Sequence, residues 1–159
     1  MQYQQGNADE LKQQFWKALA DSPFVFIRPD SGGGAVPMTA QLDEDANGAI
    51  WFFTTRDGPL ARKGPATCAY SGKGHEVFAR FSGTLSEETS RDRLDKQWSN
   101  FVEAWFPGGK DDPNLLFLRM DLGDAEIWSG DIGMLTTAKM ALGMDVRDET
   151  LGKHAETAL

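Results

Sequence analysis

The segment AIWFFTTRDGP, residues 49–59, combines a strongly apolar run with a polar end. Its three consecutive aromatic residues lead into Thr54, Thr55 and Arg56, and a Gly-Pro pair then interrupts the chain. Aromatic and β-branched residues are enriched in strands, so the run predicts a strand over 49–55. The polar end has two interpretations: a capped strand end with a surface arginine, or a set of donors for a flat, anionic ligand.

The residues before this strand predict its hairpin partner. Residues 35–43, AVPMTAQLD, have the pattern of a strand, and Pro37 places it at an edge or a bulge because proline lacks an N–H. The turn over 44–48 ends in Asn47-Gly48, a pair that tolerates positive φ and is typical of a two-stranded hairpin.

A helix and a strand are predicted upstream. Residues 8–21 form the helix, which Pro23 stops, and residues 24–28 form the strand. The turn that follows, over 29–34, contains a glycine run that lacks the lysine and hydroxyl of a phosphate-binding loop, so we interpret it as a hairpin turn. The apolar residues of the helix recur at helical spacing: Leu11, Phe15, Trp16 and Leu19.

The second half of the chain predicts further strands and two more helices. Strands are expected over 65–71 and 75–85, and two closing strands over 115–122 and 125–129. A last helix is expected over 134–143. The other helix should begin after Ser86 and pack against the sheet through residues at helical spacing: Leu94, Trp98, Phe101, Val102 and Trp105. Strands outnumber helices, which predicts an antiparallel barrel or sandwich whose openings the helices cover.

The aromatic residues predict both a core and an interface. Trp16, Trp98 and Trp105 lie on helical apolar stripes and are predicted to be core, whereas core, interface and ring-stacking roles are open for Trp51 and Trp128. Five tryptophans and ten phenylalanines in 159 residues exceed what a small barrel readily encloses. Aromatic residues are enriched in interfaces, so we expect a dimer.

Composition disfavours several classes of protein. A net charge of −8 disfavours a nucleic-acid partner, and no apolar run reaches the roughly 20 residues of a membrane span. The N-terminus has no secretory pattern, and the single Cys68 excludes an intrachain disulfide. We therefore expect a cytoplasmic protein with one domain over 1–145 and a polar tail over 146–159.

No metal site or hydrolase site is predicted. His75 and Glu76 are neighbours in a predicted strand and point to opposite faces, so they are unsuited to binding one ion. The acidic loop over 43–48 resembles a calcium loop, but Thr54 stands where its glutamate belongs. There is no G-x-S-x-G motif, and Cys68 is expected to be a buried, inert thiol.

The chain resembles the general stress protein branch of the pyridoxamine 5'-phosphate oxidase-like superfamily, the flavin-binding split barrels. The resemblance covers nearly the whole chain, and its most specific segments are PMTAQ at 37–41, WFFT at 51–54 and AWFPGGKDDP at 104–113. It implies a mainly β (α+β) fold, a six-stranded antiparallel split β-barrel with flanking helices. It also implies a homodimer with FMN, or FAD in its place, at the dimer interface.

The resemblance further implies which residues contact the flavin. The turn at Gly58 faces the phosphate end, and Trp128 approaches the ring from the second subunit. The remaining contacts come from two strands and the turn: Met38, Thr39, Ala40, Phe53, Thr54, Thr55 and Leu60.

Three positions depart from the family pattern. Relatives commonly carry arginine where this chain has Val36, and serine and lysine where it has Gly58 and Leu60. Charge-assisted hydrogen bonds contribute roughly 1.5–3 kcal/mol each, so these changes would weaken phosphate binding. The cations that replace them, if the turn folds back, are Arg56, Arg62 and Lys63.

Three functions are left open by the sequence. The first is an FMN-dependent oxidoreductase of unknown substrate that takes electrons from a reduced nicotinamide. The second is a binding module that holds a flavin, or another planar anion, for storage or sensing without turnover. The third is a split-barrel dimer that has lost flavin affinity and serves as a structural or interaction module. A true pyridoxamine 5'-phosphate oxidase is not expected, because the chain ends in GKHAETAL and lacks the arginine-rich C-terminal segment of those enzymes.

Overall fold

The computed structural model describes residues 3–130, 141–143 and 152–159. Within these ranges the chain forms one eight-stranded sheet and three α-helices, which confirms the predicted mainly β class. The helices are α1 Ala8–Asp21, α2 Arg91–Gln97 and α3 Asn100–Trp105. The strands are β1 Tyr3–Gln5, β2 Phe24–Pro29, β3 Val36–Thr39, β4 Ala49–Thr55, β5 Gly64–Ser71, β6 Val77–Glu87, β7 Leu115–Ser129 and β8 Gly152–Ala158.

Helix α1 has the predicted bounds. The Asn7 side chain accepts a hydrogen bond from the backbone N–H of Glu10 at 3.1 Å and caps the helix. Leu11, Phe15 and Leu19 are buried, as the helical spacing predicted. The helix therefore packs its apolar stripe into the core, against β6, β7 and β8.

The sheet contains two strands more than the six expected. Its order is β1-β8-β7-β6-β5-β2-β3, and β4 pairs with β7 outside this path. Strands β1 and β8 come from the two ends of the described chain and pair in parallel. Strand β8 lies within the segment 146–159, which was expected to be a polar tail, and its Ala155 is fully buried against the core.

One long strand replaces the two closing strands predicted from the sequence. Strand β7 runs for 15 residues and pairs with β4, β6 and β8. The prediction of a turn at Gly123-Asp124 is wrong: β7 continues through these residues with a β-bulge, since its pairing moves three positions, from Ala125 to Leu122, while β6 moves two, from Phe81 to Gly83. A Cβ at Gly83 would lie 2.5 Å from the carbonyl oxygen of Asp121, so this close approach requires glycine.

The predicted hairpin between β3 and β4 is largely absent. Strand β3 pairs with β2 through the glycine-rich turn, which confirms the hairpin interpretation of 29–34. Strand β4 pairs with β7 along its whole length, and in the described residues it meets the β3 segment through a single bridge, Gln41–Trp51. Strand β3 ends the sheet order, so Pro37 lies on an edge strand as predicted. The barrel is consequently split between β3 and β4.

Two helices replace the single helix expected after Ser86. Helix α2 ends at Gln97, and Ser99 caps α3 by accepting a hydrogen bond from the N–H of Val102 at 3.3 Å. This break shifts the helical phase, so Val102 is buried whereas Phe101 and Trp105 are 86% and 81% exposed. The predictions that Phe101 packs against the sheet and that Trp105 is core are therefore wrong.

The core has two parts. The interior of the barrel includes Ile50, Phe52 and Cys68, and α1 covers it. A second cluster, which we call the helical cluster, lies on the other face of β4, where Trp51 packs with residues of α2, of α3 and the position after it, and of β7: Leu94, Val102, Phe106, Leu115 and Phe117.

No helix in the described ranges is long and apolar enough to cross a membrane. The helix predicted over 134–143 lies outside the described residues except for its last three positions.

Candidate functional site

A cavity of about 790 Å³ lies at the split between β3 and β4. Its walls come from the start of β2, from β3, from the end of β4, and from α3 with the residues that flank it. None of the thirteen described residues that line it has an ionisable side chain. Such a cavity suits a largely apolar, planar ligand that is oriented by a few hydroxyl and backbone groups.

Five of the residues predicted for flavin contact line this cavity together. Met38 and Thr39 come from β3, and Phe53, Thr54 and Thr55 come from the end of β4. The two strands do not form a ladder with each other, so the residues meet across the split. The motifs PMTAQ and WFFT are thereby brought to one place.

The ring of Phe53 is held between two other aromatic rings. It stacks on Phe117 with centroids 4.5 Å apart and an interplanar angle of 8°. Trp98 meets it edge to face at 5.8 Å. These contacts fix the side chain that forms the floor of the cavity beside Thr54 and Thr55.

The free edge of β4 presents backbone groups to the split. Trp51 exchanges two backbone hydrogen bonds with Gln41, at 2.7 and 3.0 Å. Alternate residues of a strand direct their N–H and C=O groups to the same edge, so those of Phe53 and Thr55 face the same way. Past Gln41, this edge pairs with no other strand of the described chain.

Thr54 and Thr55 place their hydroxyls around Gly58. The Gly58 N–H donates to the carbonyl oxygen of Thr55 at 3.1 Å, which closes a turn. A Cβ at Gly58 would lie 3.0 Å from the Thr55 Oγ1 and 3.7 Å from the Thr54 Oγ1. Glycine at position 58 thus leaves room for both hydroxyls.

Two cations converge beside this strand end. The Arg56 guanidinium is 2.5 Å from one oxygen of Glu87, and the Lys63 ammonium is 3.8 Å from the other. The hydrogen bond between Arg56 and Glu87 raises the pKa of Arg56 and is the largest cause of the lowered pKa of Glu87. The turn therefore folds back and brings Arg56 and Lys63 to one anionic group, while Arg62 is exposed.

Five predicted contact residues do not line the cavity within one chain: Arg56 and Lys63, which meet at Glu87, and also Ala40, Leu60 and Trp128. Ala40 is buried and donates its N–H to the Pro23 carbonyl at 2.7 Å, and Leu60 is fully buried in the barrel core. Trp128 stacks on His154 with centroids 5.2 Å apart. It lies eleven positions along β7 from Phe117, the partner of Phe53, so it is remote from this cavity within one chain.

The cavity also contains residues that the sequence did not assign to a site. Phe24, Phe101 and Trp105 line it and are all largely exposed. The spacing of Phe101 and Trp105 is that of an ordinary core stripe, and only the break before α3 reveals their different role. The position of Trp105 in the AWFPGGKDDP block was a signal that could have pointed to it.

Comparisons with known proteins agree with this geometry. The family model described as "Pyridoxamine 5'-phosphate oxidase like" matches residues 10–151. A protein from Jannaschia sp. CCS1, assigned as general stress protein 26, is 32% identical, with a TM-score of 0.81 and coverage of 96% of this chain and 100% of that one. No curated protein matches.

Two Xanthomonas structures are also similar. The general stress FMN/FAD binding protein of Xanthomonas citri is 41% identical to this chain, with a TM-score of 0.72. The match covers 80% of this chain and 94% of that one. A general stress family protein of Xanthomonas campestris pv. campestris is 41% identical, with 81% and 93% coverage and a TM-score of 0.71. The resemblance predicted from the sequence is confirmed.

Proposed function

The chain belongs to the pyridoxamine 5'-phosphate oxidase-like family, and on that premise we propose that it binds a flavin, FMN or FAD, at the split between β3 and β4. One observation carries this proposal: five residues from two strands that do not form a ladder line a single cavity. The similarity to a protein of Xanthomonas citri that is named for FMN/FAD binding supports it.

The residues present fit a flavin. The volume of about 790 Å³ lies in the range of roughly 300–1,000 Å³ that is typical of cofactor pockets. The apolar walls suit a fused ring, and the free edge of β4 offers backbone donors and acceptors to the polar rim of that ring. The hydroxyls of Thr54 and Thr55, with Arg56 and Lys63 beyond them, suit a phosphate.

The second part of the proposal is a homodimer in which another copy of the chain completes the site. Phe24, Phe101 and Trp105 line the cavity and are 64%, 86% and 81% exposed in a single chain. A contiguous exposed aromatic surface is typical of an interaction site rather than of a monomer surface. The partner would cover this wall and supply the Trp128 contact that one chain does not make.

The third part of the proposal is an oxidoreductase activity with a reduced nicotinamide as electron donor. A bound flavin supplies the electron or hydride transfer itself. The chain's residues would bind and orient the ring and exclude water from it, which is why the lack of an acid–base pair in the cavity lining is compatible with the activity. Oxidation of NADH or NADPH by flavin-loaded protein, with a quinone or ferricyanide as acceptor, is the expected result.

The visible spectrum of the purified protein, recorded after FMN addition and desalting, tests flavin binding. We expect a retained flavin band and a lower affinity in the Thr54→Val/Thr55→Val variant, because both hydroxyls are lost without a change of shape. Thr84→Val is the matched control, since Thr84 is an exposed strand threonine outside the cavity. A colourless wild-type protein would favour the alternative, a split-barrel module without flavin affinity.

A further inference from the structure

A row of side chains that are not buried crosses six strands on the outside of the sheet, a surface that we call the outer face. Register pairs link the members of the row in the order Pro37, Phe26, Ala69, Arg80, Glu126 and Glu156. Phe26 is 54% exposed and does not line the cavity, so a ligand in the cavity does not account for this exposed ring. An exposed aromatic residue beside the aromatic cavity wall is typical of a surface that another protein covers.

The cavity wall and Trp128 lie at two ends of the outer face. Phe24 is two residues before Phe26 on β2, and Trp128 is two residues after Glu126 on β7, so both rings point outward. Strands β2 and β7 run in opposite directions, because each strand between them is antiparallel to its neighbours. The two rings are therefore displaced to the same side of the row, Phe24 beside the cavity and Trp128 three strands away.

Two opposite charges lie on the other side of the row in the same arrangement. Arg28 is two residues after Phe26 on β2, and Asp124 is two residues before Glu126 on β7. Both are exposed, and neither forms an ion pair with another described residue. Glu126 differs, since Arg80 holds its carboxylate at 2.6 Å. The outer face therefore carries a free cation near the cavity and a free anion near Trp128.

We propose that a second copy of the chain packs its outer face on this one, with the two-fold axis parallel to the strands and between β5 and β6. This inference rests on the proposed dimer. Such an axis exchanges β2 with the partner's β7 and preserves the level along the strands. The partner's Trp128 then faces Phe24 at the cavity, across the roughly 10 Å that separates two packed sheets. The same axis places the partner's Asp124 opposite Arg28, so one placement satisfies both the rings and the charges.

The axis also brings a second ring of the partner to the cavity. Thr39 lines the cavity and pairs with Phe24, whereas His154 pairs with Trp128 and stacks on it with centroids 5.2 Å apart. Because β3 lies opposite the partner's β8, the partner's His154 faces Thr39. The cavity lining described within one chain has no ionisable side chain, and the partner adds an imidazole beside its indole. The site is therefore incomplete in a monomer.

The test exchanges the two charges and measures self-association without flavin, by sedimentation equilibrium at low ionic strength. Arg28→Glu sets two acids opposite each other and Asp124→Lys sets two bases, so each variant alone should associate about 100-fold more weakly than the wild type. A one-to-one mixture of the two variants forms a dimer with opposite charges at both contacts. It should associate to within about fivefold of the wild type.

Lys17→Glu is the matched control, because it makes the same charge change at an exposed residue of α1, outside the outer face. It should associate as the wild type does. Circular dichroism checks that each variant is folded, and rescue in the mixture would itself show that both folds are intact.

Each outcome decides the inference. A monomeric wild type would refute the proposed dimer, and the inference would fail with it. If the wild type is a dimer and the two variants associate equally well, this docking face is wrong, while the dimer and the flavin site stand. Weaker association that the mixture does not restore would show that Arg28 and Asp124 do not face each other across the interface.

Discussion

Trp51 and Trp105 are used in opposite ways, although both belong to segments that are aromatic and specific to the family. Trp51 is fully buried in the helical cluster, its indole Nε1 donates to Glu88 at 3.0 Å, and the Arg93 guanidinium carbon lies 4.3 Å from its ring centroid. Trp105 is 81% exposed and lines the cavity. A tryptophan whose polar atom and ring faces all have partners stabilises the fold, whereas an uncovered one forms a binding surface.

Helix α3 shows the same contrast within six residues. Val102 packs into the helical cluster, while Phe101 and Trp105 form the outer wall of the cavity. The apolar face of a helix is typically buried, so the exposure of Phe101 and Trp105 within one chain is unusual. One side of α3 is buried within the chain, and the other side requires a ligand or a partner.

The largest expected effect separates the two tryptophans by stability. Trp51→Ala should lower the free energy of unfolding by about 3–5 kcal/mol, because it leaves a cavity and removes the partner of Glu88. The loss should not depend on protein concentration. Urea unfolding at two concentrations measures it, and a loss below about 1 kcal/mol would show that Trp51 is not an anchor.

The next prediction concerns the exposed wall. Phe101→Ser/Trp105→Ser should weaken self-association about 100-fold, since aromatic anchors at an interface commonly contribute a few kcal/mol. Sedimentation equilibrium measures the change, and the variant should keep the wild-type circular dichroism spectrum. Glu103→Ala, an exposed residue of the same helix, should associate as the wild type does. A wild-type protein that is monomeric at micromolar concentration would refute the proposed dimer.

The smallest effect tests how closed the barrel interior is. Burial raises the pKa of the Cys68 thiol from 9.0 to about 12, so the folded state holds this proton more tightly than the unfolded state. Below pH 9 both states are protonated. Between pH 9 and pH 12 the unfolded thiol ionises and the folded one does not, so stability falls as the pH rises.

The measurement is urea unfolding at pH 8 and pH 10. From pH 8 to pH 10 the wild type should lose about 1.4 kcal/mol more than Cys68→Ala, which has no thiol to ionise. Both proteins keep all other titrating groups, so the difference belongs to Cys68. Identical losses in the two proteins would mean that water reaches the Cys68 thiol. The barrel interior would then be less closed to solvent than the burial of Cys68 indicates.

The sequence predicted those features that depend on residues close together in the chain. The bounds of α1, the strand over 49–55 and the hairpin turn over 29–34 follow from local periodicity and turn chemistry, and the structure confirms them. The grouping of PMTAQ with WFFT was available only through family resemblance, because β3 and β4 barely pair. The hairpin signal of Asn47-Gly48 was misleading, because β3 pairs with β2 and its segment meets β4 only at the Gln41–Trp51 bridge.

The candidate site was predictable only in part, because its residues come from segments that are far apart in the chain. The hydroxyls at 54–55 and the cations at 56 and 63 could be named from the chain, but their common neighbour Glu87 lies 31 positions after Arg56. The same holds for Phe101 and Trp105, whose spacing is identical in a buried helix and in an exposed one.

By itself, the sequence determined α1, the strand over 49–55, the turn over 29–34 and which chemistry is present, because propensity, periodicity and turn preference act over a few residues. The tertiary structure decided which strand edges remain unpaired, which face of α3 is left uncovered, and which anion holds Arg56 and Lys63. Those outcomes depend on competition between distant segments for the same edge, face or charge. The site belongs to this second group, since it exists where two strands fail to meet.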